Sequence, residues 1–278
     1  MNPFEERKQQ QDNINAAMKN INCLVAVGSG KGGVGKSTVS ANLALSLAKE
    51  GYRVGLADVD VYGPSIPTLF NIKKQDIMAI EKDGKELMLP IEKYGIKLMS
   101  IGFMVDEDAP LMWRGPMASK ALIQMLSETS WGELDFLILD MPPGTGDIQL
   151  TLIKSFHPKG SIFVCTPQQL AVADVRRAIN MFENEQIKIP IFGLVENMAY
   201  FTPKELPNNK YYLFGKDGGK NLAKELNIDF LGEIPISESV SKGNDNGNPV
   251  AMSFDSIEAK AFMKLADNVA KKAKEEEK

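Results

Sequence analysis

The chain has 278 residues, of which 44% are hydrophobic and 24% are charged, and its formal net charge is −4. This composition is typical of a globular protein and excludes the disordered, collagenous and disulfide-rich classes, while the acidic balance argues against non-specific nucleic-acid binding. Two cysteines are too few for a disulfide framework and favour a reducing, cytoplasmic setting. The polar start and the lack of an 18-residue apolar run predict neither a signal peptide nor a membrane span.

Residues 1–20 are polar and predict a linker or helix ahead of one domain that spans residues 21–278. Within that domain, short apolar runs alternate with stretches of helical periodicity, which predicts parallel strands joined by crossover helices. Since the runs do not alternate polar and apolar residues, helices should cover both faces of a doubly wound, mostly parallel α/β sheet. The predicted strands are Cys23–Val27, Arg53–Asp58, Leu134–Asp140, Ser161–Thr166 and Ile191–Asn197.

Three further elements are predicted along the chain. A first helix has apolar residues at intervals of four and ends at Gly51, a residue suited to the left-handed conformation that follows a helix. Residues 77–91 carry an Asp83-Gly84 turn between two β-prone arms, which predicts a small antiparallel hairpin at a sheet edge. From Asp255 onward the pattern predicts a terminal helix.

The strongest motif is GKGGVGKS, from Gly30 to Ser37, which satisfies G-x-x-x-x-G-K-[ST] between a predicted strand and a predicted helix. Glycines let the backbone wrap a phosphate chain, the helix N-terminus supplies positive potential, Lys36 reaches the terminal phosphates and Ser37 can ligate Mg²⁺. The residues assigned to the nucleotide are therefore Gly30, Lys31, Gly32, Gly33, Val34, Gly35, Lys36, Ser37 and Thr38.

A second lysine, Lys31, lies at the tip of the same loop and is predicted to point away from the pocket that Lys36 fills. One interpretation is a solvated surface lysine. The other is a cation that reaches the nucleotide of a facing subunit, in trans, as an arginine finger does. The pattern K-G-G-x-G-K-[ST] favours the second interpretation.

Carboxylates follow two later strands, at the end where open α/β sheets bind their ligands. Asp60 is expected to hold the attacking water or a Mg²⁺-bound water, and Asp140 has the setting of the acidic residue that supports the metal ion. After Pro142-Pro143, Gly144 is expected to give its N–H to the γ-phosphate. For Asp58 and Asp147 a structural capping role is about as well supported as a catalytic one.

Ordered motifs from about residue 23 to residue 250 resemble the Mrp/ApbC family of P-loop ATPases, within the MinD/ParA-like group that has a deviant Walker A loop. They are GSGKGGVGKST, ADVDVYGPSIP, WRGPM at residues 113–117, DMPPGTGD, TPQQLAVADVRRAINMF, VENMAYF, FGKDGG and LGEIP. The resemblance implies a homodimer that encloses ATP, with Lys31 as the signature lysine and with Asn197 and the segment at Pro235 near the adenine. It also implies slow ATP hydrolysis coupled to dimer changes, and a role in iron–sulfur cluster assembly or transfer to apoproteins.

In one respect the chain departs from the family pattern. Members that carry a [4Fe–4S] cluster follow ENMSYF with a C-x-x-C pair, so that two subunits offer four thiolates. Here the segment reads ENMAYFTPKELPNNKYY, without cysteine, and Cys23 and Cys165 lie in predicted central strands. We therefore expect no stable bridging cluster at that segment, and we expect His157 to be a loop or cap residue.

Other functions of such a loop remain open at this point. A MinD- or ParA-like positioning ATPase acts on membranes or DNA, but the C-terminal sequence AKAFMKLADNVAKKAKEEEK is alanine-rich and acidic at its end, unlike a membrane-targeting helix. An electron carrier of the nitrogenase-reductase type needs cysteines near DMPPGTGD, and a ligase needs a substrate pocket that the sequence does not reveal. Partners that donate or receive a cluster remain possible, whereas nucleic-acid and membrane partners are not expected.

Overall fold

A computed structural model describes residues 3–73, 77–82, 84–105, 115–185, 187–253 and 255–276. Its strands are β1 (Ile21–Ser29), β2 (Val54–Asp58), β3 (Ala79–Lys82), β4 (Lys85–Met88), β5 (Ile91–Lys93), β6 (Ile96–Ser100), β7 (Leu134–Asp140), β8 (Gly160–Cys165), β9 (Ile191–Phe201) and β10 (Phe230–Ile236). Its helices are α1 (Pro3–Met18), α2 (Lys36–Lys49), α3 (Ile66–Leu69), α4 (Gly115–Ser127), α5 (Asp147–Phe156), α6 (Gln169–Glu183), α7 (Gly218–Leu226), α8 (Glu238–Asp245) and α9 (Ile257–Glu275).

Within the described residues, eight strands form one sheet in the order β10-β9-β8-β1-β7-β2-β6-β5. Every neighbouring pair is parallel except β5 and β6 at the edge. Alternate residues of β1 enter opposite core layers: Val25 and Val27 pack with α2 and α9, and Leu24 and Ala26 pack with α4, α5 and α6. The predicted doubly wound α/β sheet with helices on both faces is confirmed.

The five predicted strands are all present, but β5, β6 and β10 were missed. In β6 the half-buried Lys97 interrupts a short apolar run, and β10 contains Gly232 and Pro235, residues that are depleted from strands. Strand pairing overrides these local preferences, because β6 pairs along β2 and β10 pairs along β9. Their burial in the sheet could not be inferred from the short sequence runs.

The predicted hairpin forms, as β3 and β4, but its expected place at the edge of the main sheet was wrong. The two strands make a separate two-stranded sheet, and β5 occupies the edge instead. The reason is that β4 bonds elsewhere: the Met88 N–H donates to the Glu128 carbonyl, and the Ser130 N–H donates to the Met88 carbonyl. Asp83 of the predicted turn lies outside the described residues.

Helices at the two ends of the chain close the fold. α1 packs against α4 and α5, and Ile14 is buried there. The division of the chain into a segment at residues 1–20 and a domain at residues 21–278 stays a prediction. The predicted terminal helix is α9, which packs against α2 and β10. Among the described residues, no helix combines the length and apolar character that a membrane crossing needs.

Candidate functional site

The phosphate loop, residues 30–37, connects the carboxyl end of β1 to the first turn of α2. Gly33 and Gly35 have φ values of 80° and 81°, a left-handed conformation that disfavours any side chain. A Cβ added at Gly32 or Gly33 would meet nothing within 4 Å, so the loop is open at these two residues. A loop of this shape, continuous with a helix N-terminus, suits a phosphate chain.

Lys36 is buried at the base of this loop, among carboxylates from two other strands. Its ammonium lies 2.8 Å from the Asp140 carboxylate and 3.6 Å from Asp60. Burial alone would lower the pKa of Lys36, but the attraction of Asp140 and Asp60 outweighs burial and raises it. The lysine is therefore held in its charged form, as phosphate binding requires.

Asp140, at the end of β7, organises the polar groups around the loop. Its two carboxylate oxygens accept hydrogen bonds from the hydroxyls of Ser37, at 2.6 Å, and Ser40, at 2.7 Å. Asp60, with a pKa raised mainly by burial, lies on the other side of Lys36. Hydroxyl and carboxylate oxygens are the ligands that Mg²⁺ prefers, so Ser37 and Asp60, the predicted ligands, fit that ion chemically.

Asp58, at the end of β2, has the structural role that the sequence left open. This fully buried carboxylate accepts from the backbone N–H groups of Asp60, Ser65 and Ile66 and from the Ser100 hydroxyl. Burial and the neighbouring Asp140 charge raise its pKa to about 7. Asp58 thereby holds the turn that carries Asp60, whereas Asp147 is an exposed first residue of α5.

Three further residues of the predicted nucleotide site, Gly144, Lys31 and Gly30, have backbone contacts with other residues of the chain. The Gly144 N–H donates to the Ser29 carbonyl at 2.9 Å, so this amide can reach a phosphate only after its turn moves. Lys31 is partly exposed, and the Ser29 hydroxyl donates to its carbonyl. The backbone of α6 lies against Gly30, which leaves no room for a side chain there.

Asn197 and Pro235 lie on neighbouring strands beside the phosphate loop. The Asn197 amide donates to the Val34 carbonyl at 2.8 Å, and Pro235 follows Ile234, the residue that pairs with Asn197 across β9 and β10. The family resemblance implies that both lie near the adenine, which stays a prediction. The structure brings them together and adds that Asn197 braces the loop itself.

A further contact with the loop comes from the C-terminal part of the chain, and no sequence motif indicated it. The Asn244 amide of α8 donates to the Thr38 hydroxyl at 3.0 Å. The Asn42 amide donates to the Thr38 carbonyl, and the Asn42 carbonyl oxygen accepts from the Ala251 N–H, both at 2.8 Å. Thr38 is thus held by both its side chain and its backbone.

Comparison with known proteins extends these observations. The sequence matches the family described as "ParA: NUBPL iron-transfer P-loop NTPase" over residues 20–270. The chain belongs to this family. An iron-sulfur cluster carrier protein from Aquifex aeolicus is 50% identical over 246 residues, which are 87% of this chain and 66% of that protein. The chain thus spans just under two thirds of the length of that relative. The family match confirms the resemblance to Mrp/ApbC ATPases.

Solved structures agree on the fold of this family member. A nucleotide-binding protein from Archaeoglobus fulgidus, in complex with ADP and with cobalt found, is 39% identical, with a TM-score of 0.75, over 88% of this chain and 94% of that one. The MinD septum site-determining protein of Pyrococcus horikoshii, complexed with Mg-ADP, is 20% identical, with a TM-score of 0.63, over 91% and 98% of the two chains. At that identity the MinD likeness shows the fold alone.

The two cysteines of this family member cannot share a cluster. Cys23 lies near the start of β1, and Cys165 ends the adjacent β8, which by strand register places them roughly 20 Å apart along the sheet. They also belong to opposite core layers, and burial raises the pKa of the Cys165 thiol. Among the described residues, no group of three or more His, Cys, Asp and Glu side chains could hold a metal ion.

Where the family pattern has cysteines, this chain has an exposed aromatic segment, residues 200–214. Phe201 and Tyr211 bond to each other's backbone at 2.8 Å, and the Lys210 ammonium lies 3.6 Å from the centre of the Tyr200 ring. Six large apolar side chains of the segment are between 36% and 61% exposed: Phe201, Leu206, Tyr211, Tyr212, Leu213 and Phe214. The segment therefore presents an apolar surface rather than thiolates.

Two further sequence predictions concern His157 and the motif at residues 113–117. His157 is the left-handed residue that ends α5, as expected for a cap. Of the motif at residues 113–117, Trp113 and Arg114 lie outside the described residues, and Met117 is exposed on the first turn of α4.

Proposed function

We propose that this protein binds and hydrolyses ATP as a homodimer and acts in iron–sulfur cluster assembly or in cluster transfer to apoproteins. The observation that carries the proposal is the convergence of the phosphate loop with Lys36, Asp60 and Asp140 at the carboxyl ends of β1, β2 and β7. The names of the relatives support the iron–sulfur role.

Each group at the site has a role in the proposed hydrolysis. The loop amides and Lys36 hold the phosphates, and Asp140 orients Lys36 and the Ser37 hydroxyl. Asp60 orients the attacking water. Bound Mg²⁺ would stabilise the negative charge that develops on the phosphates. Asp60 and the Ser37 hydroxyl would hold the ion, and both lie beside the Lys36 ammonium.

Lys31 is proposed to act across the dimer. It belongs to the loop, and its side chain is partly exposed, whereas the Lys36 ammonium is buried against Asp140. An ammonium in this position can reach the phosphates of a facing subunit, where it would stabilise transition-state charge as an arginine finger does.

The aromatic segment is proposed to contribute to the dimer contact. It follows Asn197, which braces the phosphate loop. Directly after the segment, Gly215 lies against Pro167, just before α6, the helix that also lies against Gly30. An exposed apolar surface that follows Asn197 along the chain would lose contact with water when a second subunit docks, which favours association.

The iron–sulfur role is proposed without a cluster bound by the aromatic segment. The cluster is the cargo, and the chain's own thiols do not fit a four-thiolate site. ATP-driven changes in the dimer would act on a client that carries the cluster, in the reducing, cytoplasmic setting that the low cysteine content favours.

A positioning ATPase of the MinD type is the weaker alternative. The apolar face of α9 is buried in the core through Phe262, Leu265 and Val269, so this helix has no free apolar face to insert into a membrane. The relatives named as iron–sulfur cluster carrier or transfer proteins are 42–50% identical to this chain, far above the 20% of the MinD structure.

The decisive experiment measures nucleotide affinity by calorimetry with Mg²⁺ present. Lys36→Ala should weaken ATP binding at least tenfold, because a charge-assisted contact contributes about 2 kcal/mol. Replacement of the exposed Lys120 by alanine serves as the control and should leave the affinity unchanged. An unaltered Kd in Lys36→Ala would refute the proposed function.

A further inference from the structure

The first turn of α2 carries a hydroxyl whose orientation is set from a distant part of the chain. Thr38 follows Ser37 at the N-terminus of α2, the end of a helix that attracts anions. Its hydroxyl oxygen accepts the amide proton of Asn244, which is 206 residues away in the sequence. A hydroxyl that accepts from one partner still has one proton to donate.

That proton has no acceptor in the part of the chain that the structure describes. Among the described residues, the Thr38 hydroxyl takes part in one hydrogen bond, in which it accepts from the Asn244 amide. The Thr38 carbonyl accepts from the Asn42 amide. Since Asn244 presents its N–H₂ group to the oxygen, the hydroxyl proton is directed away from that group. Thr38 lies in the first turn of α2, directly after the phosphate loop, where a bound phosphate chain is the acceptor that the proposed function supplies.

We propose that Asn244 is a positioning residue, which turns the Thr38 hydroxyl so that it donates its proton to the phosphate chain of the nucleotide. The inference rests on the proposed nucleotide binding and adds a residue that the loop motif does not contain. It also assigns a role to α8, which contacts α3 after the Asp60 turn and thus links the loop with that turn.

Asn244→Asp tests the direction of the hydrogen bond with little change in shape. A carboxylate can only accept, so Thr38 would donate to the introduced carboxylate and lose its donation to phosphate. We expect the Kd for ADP, measured by calorimetry, to rise about tenfold or more. Asn246→Asp adds the same charge at an exposed position two residues away, and it should change the Kd less than twofold.

A double-mutant cycle separates the hydroxyl from the added charge. Thr38→Val removes the hydroxyl at nearly constant volume, and in that background Asn244→Asp should cost no more than Asn246→Asp does. Thr38→Ser keeps a hydroxyl and should restore the full sensitivity to Asn244→Asp. Melting temperatures without nucleotide check that each variant is folded.

The outcomes separate this inference from the proposed function. Equal losses from Asn244→Asp and Asn246→Asp, or losses from Asn244→Asp and Thr38→Val that multiply in the double variant, would overturn the role of Asn244 while leaving nucleotide binding intact. A wild-type protein that does not bind ADP would instead overturn the proposed function, and with it the reason for the Asn244 contact.

Discussion

The Lys36 ammonium lies 2.8 Å from the Asp140 carboxylate, and the two side chains are only 6% and 0% exposed. Asp140 also accepts from the hydroxyls of Ser37 and Ser40. This one carboxylate therefore neutralises the phosphate-binding lysine and orients the candidate Mg²⁺ ligand, so the site is pre-organised by a contact between residues 104 positions apart in the sequence.

Lys36→Met should destabilise the nucleotide-free protein. Removing the cation leaves Asp140 and Asp60 buried without their partner, and breaking a buried ion pair in this way costs about 3 kcal/mol. Urea unfolding without nucleotide measures the loss. Adding Asp140→Asn to Lys36→Met should recover part of the stability, and a fully additive double variant would contradict the predicted pairing.

Lys31→Ala should lower the ATP turnover rate far more than it weakens ATP binding. The Lys31 charge matters mainly after the partner subunit has docked, so the loss should appear in kcat, by about 100-fold or more. Steady-state kinetics over a range of protein concentrations, together with calorimetry, check this. Equal losses in turnover and affinity, or turnover independent of protein concentration, would count against action in trans.

Leu213→Glu should weaken the ATP-dependent dimer about tenfold or more without changing the melting temperature. Leu213 is 61% exposed within the aromatic segment, and a carboxylate there would have to lose its hydration on docking. Sedimentation with ATP measures the dimer. Ile257→Glu, at the 51% exposed start of α9, is the matched control and should leave it intact. A dimer unaffected by Leu213→Glu would exclude the segment from the interface.

Anaerobic reconstitution with iron and sulfide should yield a protein that holds no stoichiometric [4Fe–4S] cluster after desalting. Cys23 and Cys165 are buried near opposite ends of the adjacent strands β1 and β8. The two thiols therefore cannot bind one cluster within a subunit, and they are not exposed to bind one between two subunits. Iron and sulfide analysis with visible absorption spectra checks this. Near-stoichiometric four-iron content per dimer, lost when either cysteine is replaced, would show that the prediction is wrong.

Glu50→Gln should stabilise the protein above pH 7 and have little effect below pH 4.5. Burial, with a contribution from Asp267, raises the pKa of Glu50 from 4.5 to about 7 in the folded state. The folded protein therefore binds the proton more tightly, and the free energy of unfolding falls as pH rises from about 4.5 to about 7. Because Glu50 is partly exposed, solvent screening limits the gain to about 1 kcal/mol. Thermal unfolding across this pH range measures it, with the exposed Glu183→Gln as a control that should show no such trend.

The sequence by itself determined the sheet class, the phosphate loop and the burial of both cysteines. These features depend on contiguous residues. The glycines of the loop permit its backbone path, and the apolar runs around Cys23 and Cys165 are typical of strands that helices cover on both faces. The expected carboxylates Asp60 and Asp140 also follow from local position, because parallel strands end at the same edge of the sheet.

Only the tertiary structure decided how these residues meet. The Asp140 bonds to Ser37 and Ser40, the Asn244 bond to Thr38 and the bond from the Gly144 N–H to Ser29 each join segments that are far apart along the chain. The hairpin likewise pairs with the end of α4 instead of the sheet edge. Such contacts depend on how crossover helices pack and on which backbone groups remain unpaired, and neither is encoded in the spacing of a local motif.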